Sequence, residues 1–198
     1  MADADHGPRA DESRPGPRPG PRPEPSVSGG ANVVGALALV LADQAADAVT
    51  TAAGGSASAA AALSALLHFL DRPSVDLLCQ VLGLTSSGTV RLLDRLELAG
   101  YVRREPGRDG RTCSVVLTGP GRQAAERVSA ARAAVLERAL AVLPERDRSL
   151  FAGLAGQVLV GMMRGPGATR WICRLCDIGA CRGAAGGCPV GNAARRAH

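Results

Sequence analysis

The stretch from Val75 to Thr118 constrains the fold more than any other part of the chain. It reads VDLLCQVLGLTSSGTVRLLDRLELAGYVRREPGRDGRTCSVVLT. Leu77, Leu78, Val81 and Leu82 recur at helical spacing and predict a first short helix. Gly83 is expected to end it, because glycine takes up the left-handed C-terminal conformation with no Cβ clash. Thr85 or Ser86 then stands where a second helix needs a cap, its hydroxyl accepting an otherwise unpaired first-turn amide.

In that second helix Thr89, Leu92, Leu93 and Leu96 form one apolar face, while Ser87, Val90, Arg91 and Asp94 share the other. Gly100 closes it. Tyr101–Glu105 and Ser114–Thr118 have strand character, and PGRDGR at 106–111 is turn chemistry carrying two arginines. Two helices, a tight turn and a basic hairpin outline a winged helix-turn-helix, whose second helix enters the major groove of duplex DNA. In that setting Ser86, Ser87 and Arg91 face bases or phosphates, and Val90 suits a thymine methyl. Arg95 has two roles open to it, contact with DNA or pairing with the wing.

Taken together, Ser87–Leu96 (SGTVRLLDRL), Gly100-Tyr101-Val102, Asp109-Gly110-Arg111 and Leu117-Thr118 followed by Gly121 resemble the MarR family of bacterial transcription regulators. The resemblance extends over roughly residues 31–164. Gly110 departs from the charged residue many relatives carry there. What the resemblance implies is a dimer in which the first helix and the last two interlock between chains. It also implies a hairpin arginine, Arg111 with Arg108 beside it, reaching into the minor groove and oriented by Asp109. A small-molecule effector near the dimer interface is a further implication. The expected function is a sequence-specific DNA-binding regulator, with repression as the expected sign, acting as a homodimer on a pseudo-palindromic operator.

Around this centre the chain divides into three parts. Residues 1–30 hold most of the prolines (RPGPRPGPRPEP) and no apolar run, so they are expected to form a disordered or polyproline-like tail. Residues 31–163 form the regulator domain, with the reading motif and wing at 75–118. Ala31–Ala53 and Ser56–Leu70 predict two helices broken at Gly54-Gly55, the second capped by Ser56 or Ser58. Thr118 caps a helix from about Gly121 to Leu143, with Pro120 in its first turn, and Pro144 begins the last. Apolar helices at both ends exceed what one small winged domain covers, which points to a second copy.

Only four of the 198 residues are aromatic, so the core must be aliphatic and alanine-rich, and this favours helices. The fold class expected is therefore mainly α with a small β-hairpin wing. All 23 basic residues are arginine and the net charge is +5, which is compatible with nucleic acid without establishing it. Most of that excess lies at residues 164–198, with six arginines against one acid. Asn32–Ala42 is apolar, but Asp43 and Asp47 interrupt it short of a membrane span. There is no signal-peptide pattern, so the expected setting is the cytoplasm, away from membranes and with reduced thiols.

Residues 164–198 are a cysteine-rich extension. Cys173, Cys176, Cys181 and Cys188 give C-x2-C-x4-C-x6-C. Four closely spaced thiolates in a glycine-rich segment can wrap zinc or an iron–sulfur cluster, and thiolate number does not separate the two. The site could be structural or sensory. The alternative from another functional class is a thiol or iron–sulfur redox protein using the same cysteines, although no βαβ pattern surrounds the C-x-x-C. No catalytic triad, phosphate loop or acid–base pair stands out, so an enzyme is not expected.

Overall fold

The computed structural model describes residues 28–107, 113–165, 171–183 and 187–196. The chain divides into two compact units, residues 1–36 and 37–198. Helix α1 (Gly29–Ala52) begins in the first and continues in the second. Of the first unit, the described part is the start of α1, where the Ser28 hydroxyl accepts from the Ala31 amide. The remaining elements belong to the second.

Its core is built on α2 (Ala57–His68), capped by Ser56, whose hydroxyl accepts from the Ala59 amide. The helix buries Ala59, Ala60, Ala62, Leu63, Ser64 and Ala65. Such small side chains allow α5 (Gly119–Leu140) to lie close along it through Ala124, Ala125 and Val128. The end of α1 joins them through Val49. This is how a chain nearly without aromatic residues fills its interior, by close helix approach and dispersion contacts.

Helices α3 (Val75–Leu82) and α4 (Ser86–Leu98) follow as the spacing predicts. Ser74 caps α3, and Gly83 ends it in the left-handed region at φ 64°. Leu78, Val81, Leu92, Leu93 and Leu96 meet Leu63, Val102 and Val115 in one core. Burying each of these leucines contributes about 1.5–3 kcal/mol.

Strands β1 (Val102–Pro106) and β2 (Cys113–Leu117) pair antiparallel, from Val102 opposite Leu117 to Pro106 opposite Cys113. A short third segment extends this hairpin: Ser74 bridges to Ser114, and the Val115 amide donates to the Pro73 carbonyl. The base of the wing is thereby tied to the start of α3. Thr118 closes the hairpin onto α5, donating to the Gly100 carbonyl at 2.6 Å and accepting from the Gly121 amide at 3.0 Å. Gly121 is required there, because a Cβ would lie 1.8 Å from the Tyr101 carbonyl oxygen.

Helix α5 ends at Leu140, a few residues short of the expected Leu143. Helix α6 (Glu145–Gly161) then leaves Leu150, Leu154, Val158, Leu159 and Met162 exposed, Val158 at 59% and Met162 at 64%. On α1, Leu37, Leu39 and Val40 are also exposed. By length and composition alone α1 is apolar enough to cross a membrane, although Asp43 and Asp47 lie on it. Among its described residues the extension forms short helices where glycine content suggests loops, among them α7 (Ile178–Gly183) and α8 (Pro189–Arg196). Asp177 accepts from the Ala180 amide at 3.1 Å and Cys188 from the Gly191 amide at 3.4 Å, so side chains replace the missing first-turn partners.

Candidate functional site

Helix α4 presents the first candidate surface. Thr85 rather than Ser86 is its cap, the hydroxyl accepting from the Gly88 amide at 3.1 Å. Thr89 turns inward and donates its hydroxyl to the Thr85 carbonyl at 3.0 Å, which satisfies a polar group buried in the core. With Thr89, Leu92, Leu93 and Leu96 all buried, the opposite face must point outward. Ser86, Ser87, Val90, Arg91, Asp94 and Arg95 are indeed exposed. Arg91 and Arg95 form no ion pair among the described residues, so the face keeps two uncommitted cations at one helical turn's spacing.

The cation that does pair is Arg104, on β1. Its guanidinium reaches Asp94 Oδ1 at 2.7 Å and Glu97 Oε2 at 2.6 Å, while its amide donates to Glu97 Oε1 at 3.2 Å. The hydrogen bond to Asp94 holds the guanidinium above its ordinary pKa, with burial opposing and the nearby Glu97 charge adding. The wing strand is thus pinned to α4, and the two acids on that helix are neutralised. Sequence spacing leaves Arg95 open as the wing partner; the structure gives that role to Arg104, which sequence reasoning misses.

Below this clamp, Glu105 pairs with both Arg72 and Arg103. Arg72 has a backbone φ of 47°, unusual for a residue with a Cβ, at the turn into Pro73. The wing tip carries the remaining candidates, Arg108, Asp109 and Arg111, which lie outside the described residues.

The cysteine extension is the second candidate. None of the six cysteines forms a disulfide. The Cys176 amide donates to the Cys173 carbonyl at 2.9 Å, and this turn brings the two thiols into a hydrogen bond. That bond lowers the Cys176 pKa to about 6 against the opposing effect of burial, with Arg132 and Arg174 adding favourable charge. Cys173 is raised correspondingly, by the same bond, by burial and by the charges of Cys176, Cys188 and Cys181. Cys181 is raised chiefly by burial, with the nearby Cys188 and Cys176 charges adding. The four thiols therefore lie within electrostatic reach of one another. Among the described residues no group of three or more His, Cys, Asp or Glu side chains is gathered tightly enough to hold a metal ion as it stands.

His68 lies between the two candidate surfaces. It ends α2, bonds to Ser129 of α5 through Nε2, and faces Asp177 Oδ1 through Nδ1 at 3.6 Å. Its partner from the extension follows Cys176 directly in sequence, so nothing in local spacing could have linked them.

Comparison with known proteins supports the architecture. Residues 54–112 match the sequence profile of the MarR family. No curated protein sequence matches the chain. Among solved structures, the YusO protein from Bacillus subtilis is similar at 21% identity with a TM-score of 0.54, over 64% of this chain and 89% of that one. A MarR-family transcriptional regulator from Silicibacter pomeroyi is similar at 24% identity and TM-score 0.52, over 67% and 92%. A single-substitution mutant of S. aureus MepR, solved bound to an oligodeoxyribonucleotide, is similar at 15% identity and TM-score 0.51, over 66% and 96%. These likenesses establish the fold as the mainly helical winged helix-turn-helix of those proteins.

Proposed function

We propose that this protein is a DNA-binding transcription regulator, a repressor that acts as a homodimer in the cytoplasm. The observation that carries the reading is the division of α4: four residues seal its inner face, and Ser86, Ser87, Val90, Arg91 and Arg95 stand outward. In the proposed complex this face enters the major groove. Arginine matches the guanine edge, Val90 lies against a thymine methyl, and the capped N-terminus of α4 faces a phosphate. Arg108 and Arg111, oriented by Asp109, extend into the neighbouring minor groove.

Dimerisation is supported by the apolar surface of α1 and α6. Large apolar residues left exposed along two helices are what a second copy of the same chain would cover. Two reading heads then meet half-sites about 10 base pairs apart. A small-molecule effector near that interface belongs to the same reading. Cys173, Cys176, Cys181 and Cys188 would hold zinc or an iron–sulfur cluster, the Arg132 and Arg174 charges partly offsetting the thiolates.

Selection from random-sequence duplexes by the full-length protein tests the proposal. An enriched pseudo-palindrome, with light scattering giving twice the 20.1 kDa chain mass, is the expected result. Absence of any enriched sequence would overturn it. The redox-protein alternative is disfavoured by the setting of the C-x-x-C, since the sheet among the described residues is the wing hairpin and lies on other elements.

A further inference from the structure

Cys173 and Cys176 stand at the two ends of a four-residue turn, closed by the Cys176 amide donating to the Cys173 carbonyl at 2.9 Å. A turn closed in this way keeps its first and last Cα atoms within about 7 Å of each other. A disulfide spans Cα atoms about 4.4–6.8 Å apart. The backbone therefore already has the reach of a disulfide, and the two thiols meet across it in a hydrogen bond. Both residues are half-buried rather than sealed in the core, so a small solute can reach them.

The turn is held from several directions. Arg174 within it folds back, donating to the Trp171 carbonyl at 2.7 Å with its guanidinium 4.7 Å from the Trp171 ring centre. Directly after the turn, the Asp177 carboxylate caps α7 and faces His68 of α2. Farther along, Val190 of α8 is 2% exposed, and a Cβ on Gly156 of α6 would meet Pro189 Cγ at 2.9 Å. Arg132 of α5 and Arg174 both act on Cys176 with their charge, favouring a negative sulfur at that position. Among the described residues no three ligating side chains are gathered to hold a metal ion. The chemistry open to thiols placed like this is pairwise, one sulfur with its neighbour.

We propose that Cys173 and Cys176 form an oxidant-reactive dithiol, a modification site that takes a small hydroperoxide and ends as the Cys173–Cys176 disulfide. Cys176, beside the two arginine charges, is the attacking sulfur and Cys173 the resolving one. In the first step the Cys176 thiolate attacks the terminal peroxide oxygen; an S–O bond forms and the O–O bond breaks. Cys176 becomes a sulfenic acid, and the departing oxygen leaves as an alcohol with the proton that Cys176 gave up. In the second step the Cys173 sulfur attacks the Cys176 sulfur. An S–S bond forms, the S–O bond breaks, and hydroxide leaves as water with the Cys173 proton. The two thiols together lose two electrons, and the peroxide takes up both, so no other oxidant is called for. A disulfide made this way in a reducing compartment is transient, reversed by exchange with small or protein thiols. The reaction consumes one peroxide per chain and marks the protein instead of turning over. It is independent of whether the chain binds DNA.

The test uses the full-length chain, freshly reduced, freed of reductant and kept in chelator so that trace metal does not carry the oxidation. An equivalent of hydrogen peroxide, or of cumene hydroperoxide in a second arm, is added. Remaining thiols are blocked with N-ethylmaleimide, and the unreduced protein is digested with trypsin. Cleavage after arginine places Cys173 in peptide 171–174, Cys176 with Cys181 in 175–182, and Cys188 in 183–195. The expected main product is peptide 171–174 linked to 175–182, with fragmentation locating the bond at Cys176 and the blocking group at Cys181. Dithiothreitol should abolish the link. In Cys173→Ser the link should be lost and dimedone should trap a sulfenic acid at Cys176; in Cys176→Ser both should be lost. Wild-type protein supplies the first readout, so a poorly folded variant leaves the test decisive. Oxidation directed mainly to Cys181 or Cys188, or thiols that survive both peroxides, overturns the inference. A Cys176→Ser protein that consumes peroxide as fast as wild type does so too. A linked peptide in a protein that selects no duplex would sink the regulator reading alone.

Discussion

Arg104 offers the sharpest test of how the wing and the reading helix are joined. Replacing it by alanine removes contacts of 2.7 Å to Asp94 and 2.6 Å to Glu97 but leaves the backbone bond to Glu97. Ion pairs at partly exposed positions contribute about 0.2–1 kcal/mol each, so loss of the two in R104A should cost about 0.4–2 kcal/mol. For a chain of this size that is a fall in Tm of about 1–8 °C at fixed protein concentration. The substitution also uncovers Asp94, one turn from Arg91 on the outward face. A unit charge about 8 Å from a phosphate in water changes binding by about 0.5 kcal/mol. Two chains give about 1 kcal/mol, or about fivefold weaker operator binding at low salt. Adding Asp94→Asn should restore most of that affinity, because it removes the uncovered charge. Thermal melts of the single and double variants, with anisotropy titrations at low salt, read both quantities. An unaltered Tm in R104A, or effects of R104A and D94N that simply add, would refute the clamp.

Three further outcomes follow from the same structure. Arg91→Ala should weaken operator binding and reduce the slope of log K against log salt by about 0.9 per chain, and a slope unchanged in R91A removes Arg91 from the phosphate contacts. Gly121→Ala forces a Cβ to 1.8 Å from the Tyr101 carbonyl and should destabilise the domain by about 3 kcal/mol in urea unfolding, whereas a variant as stable as wild type would contradict this close approach. In metal-free protein Cys176, with its pKa lowered to about 6 by the Cys173 hydrogen bond, is the thiolate above that pH and Cys173 the thiol. Iodoacetamide at neutral pH should therefore label Cys176 first, slowing as the pH falls through about 6, and equal labelling of the two by mass spectrometry would show that the asymmetry is absent.

The reading helix is legible in the sequence because every signal it needs is local. Its apolar period, its hydroxyl cap and the glycine that ends α3 at φ 64° all act within a few residues. The same locality explains what the sequence hides. Which of the six arginines between 91 and 111 is consumed internally depends on where β1 lies beside α4, a tertiary fact, so Arg104 is invisible among its neighbours. The single bridge at Ser74 has no period to show and exists only because β2 offers it an edge. In the extension, glycine content argues for loops, yet α7 and α8 form because Asp177 and Cys188 cap them and Val190 is buried. His68 gives no signal at all, since its partners come from α5 and from beyond α6.

The placement of charge follows the same division. The basic excess of this chain lies mostly in residues 164–198, away from the reading helix, while residues 31–163 are almost balanced. A net charge of +5 is therefore poor evidence for DNA binding here, and the two uncommitted arginines on α4 are better evidence. The tail's arginines have another task, because Arg174 joins Arg132 of α5 in stabilising the Cys176 thiolate.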